Sequence, residues 1–259
     1  ALSLGGLLVL LLLWGGGIVL LGQNLAMARL FSPLQALPSL AHLLVDNQLT
    51  LHTLVSLRRV AVGLFWALAF GVPLGLALAL VRLSRWRVLR LAVSGFVWLM
   101  RGTPLMLQLL FVYYALPFVP VIGIRLPDYP SALVAFVLNY GAYFAEIFRA
   151  GIQSVARGQY EGAQALGMSY PQTMRRIVMP QVLRNTLPPL ANETINLVKD
   201  TSLIYVLALN DLLRTARSIV QRDFSIAPFV VAAVFYLLMT LVLTWAFQRM
   251  ERRYSAHEA

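Results

Sequence analysis

Arg149 to Thr186 reads RAGIQSVARGQYEGAQALGMSYPQTMRRIVMPQVLRNT, the one long polar interruption between two apolar segments. Small residues stand at Gly162, Ala163, Ala165 and Gly167 beside a single acid, Glu161. Small side chains let another surface come close. Helix formers run from Gln159 to Leu166, Gly167 supplies a stop, and Ser169 with Pro171 supplies a second start. The expected shape is a short helix, a turn and a second short helix. Composition alone leaves two readings open: a solvated loop that happens to contain alanines, or a surface on which a partner docks.

The chain around it has 259 residues, 59% hydrophobic and only 12% charged, with a mean hydropathy of +0.75. A soluble domain carries about 25% charged residues, so the composition points to an all-α protein that crosses a membrane several times. A net charge of +11 would suggest nucleic acid in a soluble protein. Here arginines in loops facing the cytoplasm and anionic lipid account for it, and no nucleic-acid partner is expected. There is no cysteine, hence no disulfide, thiolate metal site or cysteine nucleophile. His42, His52 and His257 are too scattered to suggest a metal site. The sole lysine, Lys199, lies in Leu-Val-Lys-Asp-Thr-Ser, which is not a phosphate-binding loop. No catalytic residue or cofactor is expected in this chain, and any energy from ATP would have to come from another subunit. A membrane-embedded enzyme would need paired acids or histidines on facing helices; Glu146, Glu193 and Asp200 are the only acids well inside apolar spans, and no histidine accompanies them.

Six spans are expected. Gly5–Leu21 is apolar and lacks the flanks of a signal peptide, which favours a first membrane helix; Gly22–Thr50 reads as an external loop with room for one surface helix. In the second span, Leu51–Val81, Arg58 and Arg59 belong at an interface or against protein, and Gly63, Gly71 and Gly75 recur at helical intervals, as where two membrane helices pack closely. Arg82, Arg85, Arg87 and Arg90 follow with no acid among them, so this loop is cytoplasmic by the positive-inside rule. The third span, Leu91–Phe118, contains Arg101-Gly102-Thr103-Pro104, which should kink or interrupt its helix; irregular backbone at that depth requires protein or a wet cavity around it. Ser131–Phe148, Leu187–Leu209 and Ala227–Gln248 complete the count, with both termini inside and Arg249, Arg252 and Arg253 as a cytoplasmic anchor. Arg214, Arg217 and Arg222 fall on the external side, against the general trend. The domain expectation is an N-terminal helix and loop over 1–50 and a transmembrane core over 51–259 that includes the polar loop at about 149–186.

The fifth span is unusually polar. Ionisable groups in a bilayer cost about 2.5 to 3.5 kcal/mol each. Asn192, Asn196 and Lys199 fall at i, i+4 and i+7, and Glu193, Asn196 and Asp200 at i, i+3 and i+7, which forms one broad face. Lys199 and Asp200 could equally neutralise charges within the fold or line a path; Glu193 and Asn196, deeper in the span, favour a translocation path. Glu146 reads as structural, paired with Arg149 one turn later.

The order E-G-A, three residues, G, nine residues, I-x-M-P from Glu161 to Pro180 closely resembles the coupling-loop signature E-A-A-x3-G-x9-I-x-L-P of the permease subunits of ATP-binding-cassette (ABC) importers. Gly162 and Met179 depart from it; the glycine weakens a short helix by about 1 kcal/mol relative to alanine. The resemblance implies a type I importer permease fold with about six transmembrane helices and a cytoplasmic coupling helix, in which Glu161, Gly162, Ala163 and Gly167 dock on the ATPase. Arg101-Gly102-Thr103-Pro104-Leu105 through Gln108, Tyr113-Tyr114-Ala115-Leu116-Pro117, Ala145-Glu146-Ile147-Phe148-Arg149-Ala150-Gly151-Ile152 and Lys199-Asp200-Thr201-Ser202-Leu203 look like the polar-amino-acid branch. The N-terminal third, with Phe31-Ser32-Pro33-Leu34, Leu54 to Gly63 and Gly71 to Leu76, looks more like nitrate, sulfonate and taurine permeases. The function implied is import of a polar amino acid across the bacterial inner membrane by alternating access, with a small sulfonate or other organic anion as the alternative substrate. The implied partners are two ATPase subunits carrying ATP and Mg, a second permease copy or homologue, and an extracytoplasmic binding protein. Gln108, Asn192, Glu193, Asn196 and Lys199 are the candidate substrate-path residues.

Overall fold

A computed structural model describes residues 4–22, 47–120, 123–223 and 226–255. Every regular element among them is helical. The described residues fall into two compact units, one within Ala1–Arg59 and Asn210–Leu238 and the other within Val60–Leu209 and Met239–Ala259.

Helices α1 (Leu4–Gly22) and α2 (Asn47–Leu83) cover the first two expected apolar stretches; the intervening loop lies outside the described residues apart from 47–50, which open α2. At about 1.5 Å per residue, the 37 residues of α2 exceed the ~30 Å hydrocarbon core. Its glycines do what their spacing suggested. A Cβ on Gly75 would lie 2.5 Å from Cβ of Phe144 and 3.0 Å from the backbone of Ala145 and Gly141, and one on Gly71 3.4 Å from the Phe144 ring. Gly75 and Gly141 therefore let α2 and α5 (Asp128–Gln153) approach backbone to backbone, the contact that small residues permit in membranes.

The third span is broken, as its proline demanded. Helix α3 (Arg87–Gly102) stops at Thr103, which is extended with φ −117° and ψ 145°, the conformation a following proline imposes. Helix α4 (Leu105–Leu110) restarts after Pro104 and runs through a π turn, Phe111–Ala115, to a 3-10 turn, Leu116–Phe118. The two halves are bent by 109°, far beyond a kink.

A helix end leaves its last carbonyls without partners, and here side chains supply them. Thr103 Oγ1 donates to Leu99 O at 2.8 Å. Gln108 Nε2 donates to Met100 O at 2.8 Å and Thr103 O at 3.1 Å. Asn139 Nδ2 on α5 donates to Met100 O at 3.1 Å and to Gln108 Oε1 at 3.0 Å. The break is thus tied to its neighbour by two amides.

After α6 (Arg157–Ala165) the chain turns at Gly167 into α7 (Tyr170–Thr173). Helix α7 is the expected second short helix, with its start at Ser169 and Pro171, but it does not end there. Helix α7 passes through a π turn, Met174–Val178, straight into α8 (Met179–Asp200) and on into a 3-10 stretch, Thr201–Leu207. The helix that holds the expected fifth span accordingly begins before Leu187, at Met179. Pro180 would collide with the carbonyl four residues back, at Arg176, and the wider π turn falls across that position.

Helix α9 (Leu212–Asp223) was not anticipated; buried Asp211 starts it by accepting from the backbone N–H of Arg214 at 2.8 Å and Leu213 at 3.3 Å. Its Leu212 and Ala216 pack on Ala232, Phe235 and Tyr236 of α10 (Ala227–Ser255).

Among the described residues three helices are long and apolar enough to cross a membrane, Val55–Leu83, Asp128–Gln153 and Pro228–Arg253, or four with the bent pair as one span.

Candidate functional site

The polar loop folds into a compact knob. Helix α6 ends in a Schellman arrangement: the N–H of Met168 donates to Ala163 O at 3.0 Å and that of Gly167 to Gln164 O at 2.9 Å. Gly167 takes φ +73°, a left-handed conformation that costs an L-residue about 1–2 kcal/mol. Ser169 then opens α7 with a capping box, its N–H donating to Gln172 Oε1 at 2.9 Å.

The four signature residues do not act alike. Ala163, 1% exposed, faces inward, on the side where Tyr160 and Met174 pack on Ile152, Val155, Val178 and Val182. Glu161, Gly162 and Gly167 face outward. No atom outside α6's own backbone lies within 4 Å of where a Cβ on Gly162 would be, so alanine, the family's residue, would fit. Leu166 and Tyr170 are 81% and 71% exposed. The sequence pattern did not single them out; an apolar side chain beside a glycine stop is the signal that could have done so.

Along α8 one face is buried, through Val182, Thr186, Ala191, Thr194, Leu197 and Val198. The opposite stripe, Asn185, Pro188, Asn192, Asn196 and Lys199, is exposed or nearly so. Glu193 is half-buried at its edge, where Asn196 hydrogen-bonds to its carboxylate and Arg101 is the nearby cation. Asp200 turns inward instead, accepting from Tyr140 Oη at 2.7 Å. Gln108 is buried in the broken span, with its amide engaged at both ends.

Glu146 does pair with Arg149, and also with Arg82, which reaches it from the end of α2. Arg82 Nε donates to Ser94 Oγ of α3 at 3.3 Å, so one carboxylate ties three helices together. Arg101 Nη1 lies 3.8 Å from the same carboxylate.

These features have counterparts in known proteins. Residues 71–256 match the family model described as binding-protein-dependent transport system inner membrane component. The chain is 38% identical over 192 residues to the L-cystine transport system permease protein TcyB of Bacillus subtilis (strain 168), covering 73% of this chain and 81% of that protein. It is 37% identical over 187 residues to the glutamine transport system permease protein GlnP of Escherichia coli (strain K12), covering 72% and 85%. A crystal structure of an amino acid ABC transporter with histidines superposes with a TM-score of 0.73 at 34% identity, over 81% of this chain and 97% of that one. By family match, identity and fold, this chain belongs to the binding-protein-dependent transport system inner membrane components, the permease subunits of ABC importers, whose ATP hydrolysis is carried by a separate ATPase.

Proposed function

We propose that this chain carries a polar amino acid through the bacterial inner membrane and receives the energy of ATP through α6. The observation that carries the substrate class is the naming of relatives above 35% identity for L-cystine and glutamine. The polar stripe of α8 agrees with it: a membrane helix exposes Asn192, Asn196 and Lys199 only toward another polar surface or water. Glu193 suits a substrate ammonium and Lys199 a carboxylate, and the stripe would face a second permease copy or homologue across an alternating-access path.

For coupling, the closed turn at Gly167 holds Glu161, Gly162, Leu166 and Tyr170 outward while Ala163 anchors the helix. Two ATPase subunits bearing ATP and Mg would grip that face from the cytoplasm. Six spans with both termini inside, and an extracytoplasmic binding protein delivering the substrate, complete the reading.

The test is ATP hydrolysis by the chain in nanodiscs with its co-purifying partners, with and without a binding protein loaded from a panel of amino acids and sulfonates. Stimulation by a loaded amino acid is expected. Stimulation by sulfonates alone would contradict the substrate class, and absence of any co-purifying ATPase would contradict the coupling.

A further inference from the structure

Between Asp46 and Asp128 the chain has no acidic residue, yet the passage from α2 into α3 carries Arg82, Arg85, Arg87 and Arg90. Arg82 is neutralised by Glu146 and donates to Ser94 Oγ at 3.3 Å. Among the described residues the side chains of Arg85, Arg87 and Arg90 make no hydrogen bond or ion pair. All three are exposed, and so is Trp86 between the first two. Guanidiniums beside a tryptophan are what a protein presents at the boundary between lipid headgroups and acyl chains.

An apolar stripe begins at the same place. Val88, Leu91, Gly95 and Trp98 fall at i, i+3, i+7 and i+10, on one face of α3. Val88 is 81% exposed, Leu91 61% and Trp98 76%. No atom outside the helix's own backbone lies within 4 Å of where a Cβ on Gly95 would be, so the stripe has a shallow notch in its middle. The other side of α3 is occupied, with Val97 buried beside Ala142 and Ala145 of α5 and Leu78 of α2. From Val88 to Trp98 the helix rises about 15 Å, the depth of one leaflet of a ~30 Å hydrocarbon core. Three unpaired cations at the end of a stripe of that length have the proportions of one phospholipid molecule.

Other occupants fit less well. A second copy of this chain on the same face, about a twofold axis along the membrane normal, would set the two groups of arginines against each other at one depth. An acidic protein surface would match the arginines and leave the stripe from Val88 to Trp98 uncovered.

We propose that α3 binds an anionic phospholipid, with its phosphate at Arg85, Arg87 and Arg90 and an acyl chain along the stripe from Val88 to Trp98. The site goes beyond a general attraction to the leaflet, because headgroup and chain are held by one helix.

The test uses the permease with its ATPase in nanodiscs of mixed phosphatidylcholine and phosphatidylglycerol. Lipids retained after extraction into detergent are counted by native mass spectrometry for the wild type, for the triple variant Arg85→Gln, Arg87→Gln, Arg90→Gln, and for Trp98→Ala. The wild type should retain phosphatidylglycerol in preference to phosphatidylcholine. Each arginine near an anionic headgroup contributes about fivefold, so the triple variant should lose that preference by about a hundredfold. Trp98→Ala should retain less of both lipids and keep the preference. In phosphatidylcholine alone the triple variant should melt with the wild type, since its guanidiniums have no protein partner to lose. Equal retention of the two lipids by the wild type, or an undiminished preference in the triple variant, overturns the proposal. Full lipid retention by Trp98→Ala, or displacement of the lipid by soluble glycerol 3-phosphate, overturns the acyl-chain half and with it the site as stated. Loss of the co-purifying ATPase in the triple variant would assign the arginines to that subunit, and a lowered melting temperature in phosphatidylcholine would assign them to the fold; either result overturns the proposal.

Discussion

Helices α5 and α8 pack on each other and both carry polar side chains, yet they treat them in opposite ways. On α5, Asn139 is bound to the broken span and Glu146 to two arginines. On α8, Asn192, Asn196 and Lys199 remain exposed. A polar residue in a membrane helix thus does not by itself mark a path. Whether the fold ties it to another helix or leaves it exposed decides, and by that criterion α5 is scaffold and α8 is the candidate surface for a solute.

Substitutions can break or sharpen that contrast. Glu146→Gln on α5 should cost most, about 2 to 3 kcal/mol, the upper range for hydrogen bonds to charged groups, since the partly buried Arg82 and Arg149 would lose their shared carboxylate; thermal unfolding of the purified complex reads this directly. Gly75→Ala comes next. Its methyl would meet Phe144 Cβ at 2.5 Å and two backbone atoms at 3.0 Å, an overpacking worth about 2 kcal/mol, visible as a lower melting temperature and yield. Gly167→Ala, outside both helices, should cost about 1 kcal/mol through its left-handed φ of +73°; loosening the knob should lower ATP-driven uptake more than it lowers stability. Asn192→Ala on α8 should change stability by less than about 0.5 kcal/mol, as exposed sites do, while lowering uptake. An unfolding penalty there as large as that on α5 would erase the contrast.

Much of this was legible in the sequence because it is local. Hydropathy gave the membrane class, Pro104 the interrupted span, the glycine spacing the close face of α2, and Gly167 the stop of α6. What the sequence hid is mostly long-range. Arg82 meets Glu146 across 64 residues and Asn139 meets Gln108 across 31, and no spacing rule reaches so far. The continuity of α7 into α8 was hidden for a different reason: Pro180 reads as a breaker, and only the π turn before it lets the helix run on. Helix α9 was masked by its arginines, which read as loop until Leu212, Ala216 and their partners on α10 are seen to form a buried seam.

The most direct test of the division between scaffold and path is a paired measurement on Asn139→Ala and Asn196→Ala, melting temperature and amino-acid uptake being taken on the same reconstituted complexes. Asn139→Ala is expected to lower the melting temperature, because Met100 O and Gln108 Oε1 each lose a donor, whereas Asn196→Ala is expected to keep the melting temperature and lose uptake. Intact uptake for Asn196→Ala, together with an unchanged melting temperature for Asn139→Ala, would contradict the account.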